Sequence, residues 1–87
     1  MSFFVYLLEC RGGTLYCGWT TDLAARLAAH QAGRGGRYTC SRLPLRLVYC
    51  EEHPTATDAR RREAAIKKLP RAAKLALIAD KVALDVL

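Results

Sequence analysis

Phe3-Phe4-Val5-Tyr6-Leu7-Leu8-Glu9-Cys10-Arg11-Gly12-Gly13-Thr14-Leu15-Tyr16-Cys17-Gly18-Trp19 is the stretch that decides the fold. Residues 3–10 are aromatic and apolar with two β-favouring Phe residues, a Val and a Tyr, and read as a strand. Arg11-Gly12-Gly13 is a turn, and residues 14–19 read as a second strand, so the two form a hairpin. A three-residue turn places Cys10 opposite Thr14, Leu8 opposite Tyr16 and Tyr6 opposite Gly18. In that register Tyr6 and Tyr16 share a sheet face as diagonal neighbours, although a bulge at the turn would break it. Gly18 is expected to leave open space beside the two hydroxyls, as close approach of a ligand or backbone requires.

Working outward, Thr20, Thr21 and Asp22 offer helix N-caps, and Leu23, Leu27 and their alanines continue a helix to about Gln31. Residues 33–44 hold three glycines, several arginines and a proline and read as a loop. Leu45 to Glu51 is expected to be a third strand, ended by Glu52-His53-Pro54. Thr55 or Thr57 can cap a second helix running to about Leu69, and Pro70 suits the first turn of a third helix ending near Asp80. The expected architecture is a small α+β domain, a three-stranded antiparallel sheet flanked by helices in the order β-β-α-β-α-α. Residues 1–80 form the domain, and 81–87 a tail that continues the last helix or frays. The first strand is apolar on both faces, which predicts a sheet covered on both sides.

The 87 residues leave room for one domain, and a chain this short buries only about 60% of its unfolded surface. With 52% hydrophobic residues it is not disordered. Fourteen Lys and Arg face eight Asp and Glu, a net charge of +6 that suits an anionic partner such as nucleic acid. Cys10, Cys17, Cys40 and Cys50 stand too far apart for a CxxC motif or a zinc knuckle. With no leader-like N-terminus, reduced and mostly buried cysteines in a cytoplasmic protein are expected. No apolar run approaches the ~20 residues of a membrane span.

Several side chains could carry chemistry. Arg26 and His30 are four apart on the first helix and share a face beside the Leu23–Leu27 stripe; the plain alternative is a solvated helix surface. Glu63 falls with Ala59 and Ile66 in the apolar stripe of the second helix, where a carboxylate has to be paired, hydrogen-bonded or metal-bound. The plain alternative there is a buried ion pair with Arg60, Arg61 or Arg62. Tyr6 and Tyr16 alone read equally well as packing residues with wet hydroxyls. Between Asp22 and Glu51 the chain has no acid but carries Arg26, Arg34, Arg37, Arg42 and Arg46. With Tyr38, Thr39 and Ser41 among them, this is a cationic surface with hydroxyl donors suited to phosphate oxygens. His53, a lone histidine before a proline, is weak evidence of a metal ligand.

Taken in order, these pieces resemble the GIY-YIG nuclease family. Phe4-Val5-Tyr6 is similar to its first motif and Tyr16-Cys17-Gly18 to its second. Gly18-Trp19-Thr20-Thr21-Asp22-Leu23-Ala24-Ala25-Arg26-Leu27-Ala28-Ala29-His30 matches its Gly-x-Thr-x-Asp-x-x-x-Arg-x-x-x-His stretch. Gly36-Arg37-Tyr38-Thr39 looks like the glycine-rich loop of close relatives. Ala59 through Glu63 and Lys67-Lys68-Leu69 look like the helix carrying the family's glutamate. The likeness spans residues 3 to 78 and is nearest to the short, stand-alone bacterial members, which are related to the nuclease subunit of branched-DNA resolvases. Phe4 and Val5 replace the Gly and Ile of the first motif, and the chain has no Asn for the late asparagine that some members use.

The resemblance implies a metal-dependent endonuclease that hydrolyses DNA phosphodiesters, in repair or recombination. It implies Tyr6, Tyr16, Arg26, His30 and Glu63 as catalytic residues, with Glu63 holding one Mg²⁺ or Mn²⁺. Gly18, Arg34, Arg37, Tyr38, Thr39 and Arg42 are then expected along the DNA. A base role for a tyrosine needs a nearby cation, because its ordinary pKa is about 10. His30 is expected to assist proton transfer or to hydrogen-bond a tyrosine hydroxyl. With no targeting domain in the chain, a protein partner is one way to select substrate. The alternatives are a catalytically silent DNA-binding module and a subunit activated only by its partner.

Overall fold

A computed structural model of the protein describes residues 2–34 and 43–86, with side chains through Lys81. The elements are β1 (Phe3–Glu9), β2 (Leu15–Thr20), α1 (Leu23–Gln31), β3 (Arg46–His53), α2 (Ala56–Lys67) and α3 (Arg71–Val86). The α+β architecture and the β-β-α-β-α-α order are those expected from the sequence. The sheet is antiparallel throughout with order β2-β1-β3, so the most apolar strand is central.

The hairpin has the register that its turn length dictates. Tyr6 pairs with Gly18 and Leu8 with Tyr16, and the Cys10 N–H donates to the Thr14 carbonyl at 2.7 Å. Gly12 and Gly13 both take positive φ, 87° and 86°, a conformation that would strain any side-chain-bearing residue. The second ladder carries a bulge, because β1 Leu7 pairs with Tyr49 but Leu8 with Leu47. The extra residue is Val48, and it turns with Tyr49 onto the same core.

Each face of β1 is covered. Val5 and Leu7 pack with Cys17 under Ala59 and Ile66 of α2, with Leu77 and Ile78 of α3 at the margin. On the other face Leu8 and Cys10 pack with Leu45, bordered by Tyr16, Leu27, Leu43 and Leu47. Val5, Leu7, Leu8 and Ile66 are all essentially inaccessible, and at about 25 cal/mol per Å² their burial is the main driving force of a thin core.

Three boundaries differ from expectation. β3 starts one residue later and runs on to His53, because β1 begins at Phe3 and offers partners to Glu52 and His53. α2 is capped by Thr55, whose hydroxyl accepts from Asp58 N–H at 3.1 Å, and it stops at Lys67. Pro70 precedes α3 rather than lying in its first turn, its carbonyl accepting from Ala73 and Lys74. α3 then continues to Val86. Among the described residues, no helix is long and apolar enough to cross a membrane.

Candidate active site

Asp22 fixes the start of α1: its carboxylate accepts from Ala25 N–H at 3.0 Å, while Thr20 Oγ1 accepts from Asp22 N–H at 3.2 Å. The helix is thereby set so that His30, one turn after Arg26, enters the sheet face bearing Tyr6 and Tyr16. His30 is the buried residue of α1 and has no accessible surface. Leu23 and Leu27, by contrast, are only half-buried. The ring packs edge-on to Tyr16 with centroids 5.4 Å apart and lies 5.9 Å from the Tyr6 ring. Its Nε2 is 3.1 Å from the Tyr6 hydroxyl. The expected hydrogen bond between His30 and a tyrosine is therefore present, and its partner is Tyr6.

The space beside the hydroxyls is not what the sequence suggested. A Cβ on Gly18 would lie 2.5 Å from Tyr6 Oη and 2.7 Å from its Cζ. Gly18 is buried, and the volume over it is filled by the Tyr6 phenol rather than left open. Tyr6 is 3% exposed; Tyr16 is half-buried and is the more accessible of the two.

Electrostatics separate the roles further. Burial pushes the Tyr6 phenol up to about 12; the Tyr16 and Glu63 charges raise it too, and Arg26 opposes them without prevailing. The lowering that a general base would need is absent, so Tyr6 is a protonated phenol at neutral pH. Burial, helped by the Arg26 charge, holds His30 below 6.5, so its imidazole is neutral there. Cys17, between the two motif residues of β2, is raised to about 11 by burial and by Glu63, and is an unreactive thiol at neutral pH.

Glu63 approaches from the other side of the sheet. α2 packs across β1 and β2, and Cys17 Sγ lies 4.0 Å from the Glu63 carbonyl oxygen. The Glu63 side chain is 20% exposed, less buried than its place in an apolar stripe implied, and its ion-pair partner is Lys67 at 3.6 Å. Among the described residues no arginine pairs with it, and Arg62 pairs with Glu51 instead. Among the described residues no group of three or more His, Cys, Asp or Glu is placed to hold a metal ion. A single partly exposed carboxylate nevertheless fits a hard cation that draws its other ligands from water and phosphate.

Arg26 is exposed and lines a surface depression of about 270 Å³ with Trp19, Thr20 and Thr21. Arg34 is exposed just past α1. Arg37, Tyr38, Thr39 and Arg42 lie outside the described residues. The structure thus gathers Tyr6 and Tyr16 around His30 on the α1 side of the sheet, and the charges of Arg26 on α1 and of Glu63 on α2 both reach the Tyr6 phenol.

A second polar cluster was not singled out from the sequence. Glu51 accepts hydrogen bonds from the Tyr49 hydroxyl, from His53 Nε2 at 2.8 Å and from Arg62 Nε at 2.7 Å. Burial raises the Glu51 carboxyl, but the three bonds outweigh it and hold the group below 4.5. The available signal was the alternation Tyr49-x-Glu51-x-His53, which puts three polar side chains on one strand face.

Residues 2–76 match the family model described as the GIY-YIG catalytic domain. A UPF0213 protein from Streptococcus sanguinis is 53% identical over 78 residues, covering 90% of each chain. Another from Cupriavidus pinatubonensis is 47% identical over 78 residues, 90% of this chain and 87% of that one. Among solved structures, the solution structure of a UPF0213 protein from Bacillus halodurans has a TM-score of 0.62 and 41% identity, covering 93% of this chain and 86% of its own. A protein from E. faecalis gives 0.59 and 38%, with 85% and 79% covered.

Proposed function

The chain belongs to the GIY-YIG family, whose domain is a nuclease catalytic domain, and from that premise we propose that it is a divalent-metal-dependent DNA endonuclease. The observation that carries the reading is the cluster of one neutral histidine and two phenols on the α1 side of the sheet, with the charges of one exposed arginine and one half-buried carboxylate reaching the Tyr6 phenol.

Arg26, exposed one turn before His30 with its charge reaching Tyr6, holds a non-bridging phosphate oxygen and stabilises the charge that develops there. Glu63 would hold Mg²⁺ or Mn²⁺, which would supply positive charge to offset the charge developing at the phosphodiester. Tyr16, the accessible phenol, orients the attacking water by hydrogen bonding. Tyr6 remains protonated and bonded to His30, so the pair keeps the floor of the site rigid and dry. His30, neutral at pH 7, has the capacity to take up a proton relayed through that bond. Arg34, with Arg37, Tyr38, Thr39 and Arg42, contacts the DNA backbone. A role in repair or recombination is consistent with a nuclease that acts on branched substrates.

The test is a cleavage panel of branched, flap, nicked and linear DNAs with and without Mg²⁺ or Mn²⁺. Glu63→Ala and Arg26→Ala are expected to lower kcat by about 10²–10³-fold. Because Arg26 is exposed, its variant should keep its stability within about 0.5 kcal/mol. Tyr16→Phe is expected to cost more than Tyr6→Phe. If the wild-type protein cuts none of these DNAs with either metal, the proposal fails. Salt-sensitive DNA binding without cleavage, unaffected by Glu63→Ala, would instead favour a silent binding module. Cleavage appearing only with cell extract would favour a partner-activated subunit.

A further inference from the structure

Arg62 and Glu63 are neighbours on α2 but leave it in different directions. Successive helical side chains are about 100° apart, so relative to Ala59 the Ile66 side chain lies near −20°, Arg62 near −60° and Glu63 near +40°. Ala59 and Ile66 are the fully buried stripe, and Arg62 and Glu63 are its two flanks. In a sheet ordered β2-β1-β3, a helix lying over the central strand sends one flank to each edge. The Arg62 flank reaches β3, where Nε donates to Glu51. On the other flank the Glu63 carbonyl lies 4.0 Å from Cys17 Sγ of β2, and the Glu63 charge acts on that thiol.

The apolar stripe does not by itself fix how far α2 is turned about its axis, because hydrophobic contact is non-directional. The Lys67–Glu63 pair spans one turn of the same helix, so it turns with the helix and cannot fix it either. The Arg62–Glu51 bond is directional, it links the helix to a strand, and it lies opposite Glu63. We propose that Glu51 is a positioning residue: by holding Arg62 it fixes the rotation of α2 that sets where Glu63 stands beside β2.

Tyr49 and His53 complete the device. Each donates to the Glu51 carboxylate, so its orientation is set from β3 and does not depend on Arg62. Glu51 faces Val5 across the β1–β3 ladder, at the edge of the apolar core, where a charged group kept in place only by one arginine would be costly. A carboxylate roughly 6 Å from a helix axis moves by about 2 Å when the helix turns by about 20°. A shift of about 1 Å at a reacting group can cost ~100-fold in rate. The inference rests on the reading of Glu63 as the cation-holding residue, but its geometric half stands apart from it.

The experiment compares wild type with Glu51→Gln, Arg62→Lys and Leu45→Ala, the last a core variant in the cluster on the opposite face of the sheet from α2. In metal-free, DNA-free protein, NOEs between Glu63 and Cys17 read the position of the helix directly. Mn²⁺ titration and steady-state cleavage then read the consequence. Glu51→Gln is expected to lose those NOEs, to weaken Mn²⁺ binding about fivefold or more, and to lower kcat about tenfold or more with KM for DNA nearly unchanged. Arg62→Lys keeps the charge but not the Nε–H; it is expected to shift all three the same way, and it serves if Glu51→Gln does not fold. Leu45→Ala, at a comparable loss of Tm, is expected to leave the NOEs and Mn²⁺ affinity near wild type. Wild-type NOEs and Mn²⁺ affinity in either folded position variant overturn the proposal, as does an equal loss in Leu45→Ala. If wild type cuts no DNA, the nuclease reading fails alone, and the NOEs still decide the positioning role.

Discussion

At the scale of single residues, the site is built around what Gly18 lacks. The Tyr6 phenol occupies the place of a side chain at position 18, so Gly18→Ala forces the ring aside. The expected cost is about 1–3 kcal/mol of overpacking, together with loss of the Tyr6–His30 bond and of activity. Tyr6→Phe added to Gly18→Ala should rescue little, because ring carbons also lie within 3 Å of the new Cβ, whereas Tyr6→Leu should recover much of the stability. Equal rescue by both, in urea denaturation, would show that the hydroxyl alone is the obstacle. His30 supports a second prediction. Its pKa when folded lies below 6.5, so the folded state binds fewer protons than the unfolded one. Stability therefore rises with pH through this range. It is fully present above about 6.5 and is lost as pH falls toward and through the folded value, with a limiting slope of about 1.4 kcal/mol per pH unit. His30→Gln, which keeps an amide for Tyr6 and does not titrate, should flatten the slope of urea midpoints between about pH 7.5 and 5.5. An unchanged slope would remove His30 as its source. The Tyr6–Gly18 register was legible in the sequence, because turn length and two-residue alternation determine it. The depth of His30 was not. Leu23 and Leu27 look like the residues to bury, but the phenol on β1 supplies a polar contact that only the histidine can meet.

At the scale of elements, the strands and helices were legible where turn and cap chemistry marks them. Thr55 heads α2 and Asp22 heads α1, as their types suggest. What could not be read is how the elements choose partners across the chain. Helical phase puts Arg62, rather than Arg60 or Arg61, beside the Ala59–Ile66 stripe, but only the placement of β3 under α2 gives it Glu51 as partner. The bulge at Val48 is likewise a product of pairing, since strict alternation would put Val48 and Tyr49 on opposite faces. Ends set by chemistry are testable as such. Thr55→Ala should cost about 1 kcal/mol by leaving the Asp58 N–H without its cap, a fall in Tm of about 4–8 °C for a chain of this size. A fall below about 1 °C would mean that water or a neighbouring group replaces the hydroxyl at no cost. Because α2 also carries Glu63, the same variant should lose a modest share of activity through fraying at its first turn, far less than Glu51→Gln.

At the scale of the whole molecule, the net charge of +6 is not spread evenly, and it is not all available to a polyanion. Arg46 is exposed but bonded to Glu9 at 2.8 Å, so the positive field it projects is partly offset. Arg26 and Arg34 are exposed on the α1 side of the sheet, the side on which His30 meets the two tyrosines. A duplex lying along that side would exchange condensed counterions for these arginines, and each neutralised phosphate adds about 0.9 to the slope of log K against log salt. Arg34→Gln should therefore lower the magnitude of that slope by about one and weaken binding alike for all sequences. Arg46→Gln should change it much less, because binding at Arg46 would first have to compete with Glu9. Fluorescence anisotropy on a labelled duplex between about 50 and 300 mM NaCl reads both slopes. If the two variants lose slope equally, the DNA engages both sides of the sheet. If neither does, the charge of the molecule serves solubility, and the phosphate contacts proposed for the α1 side are wrong.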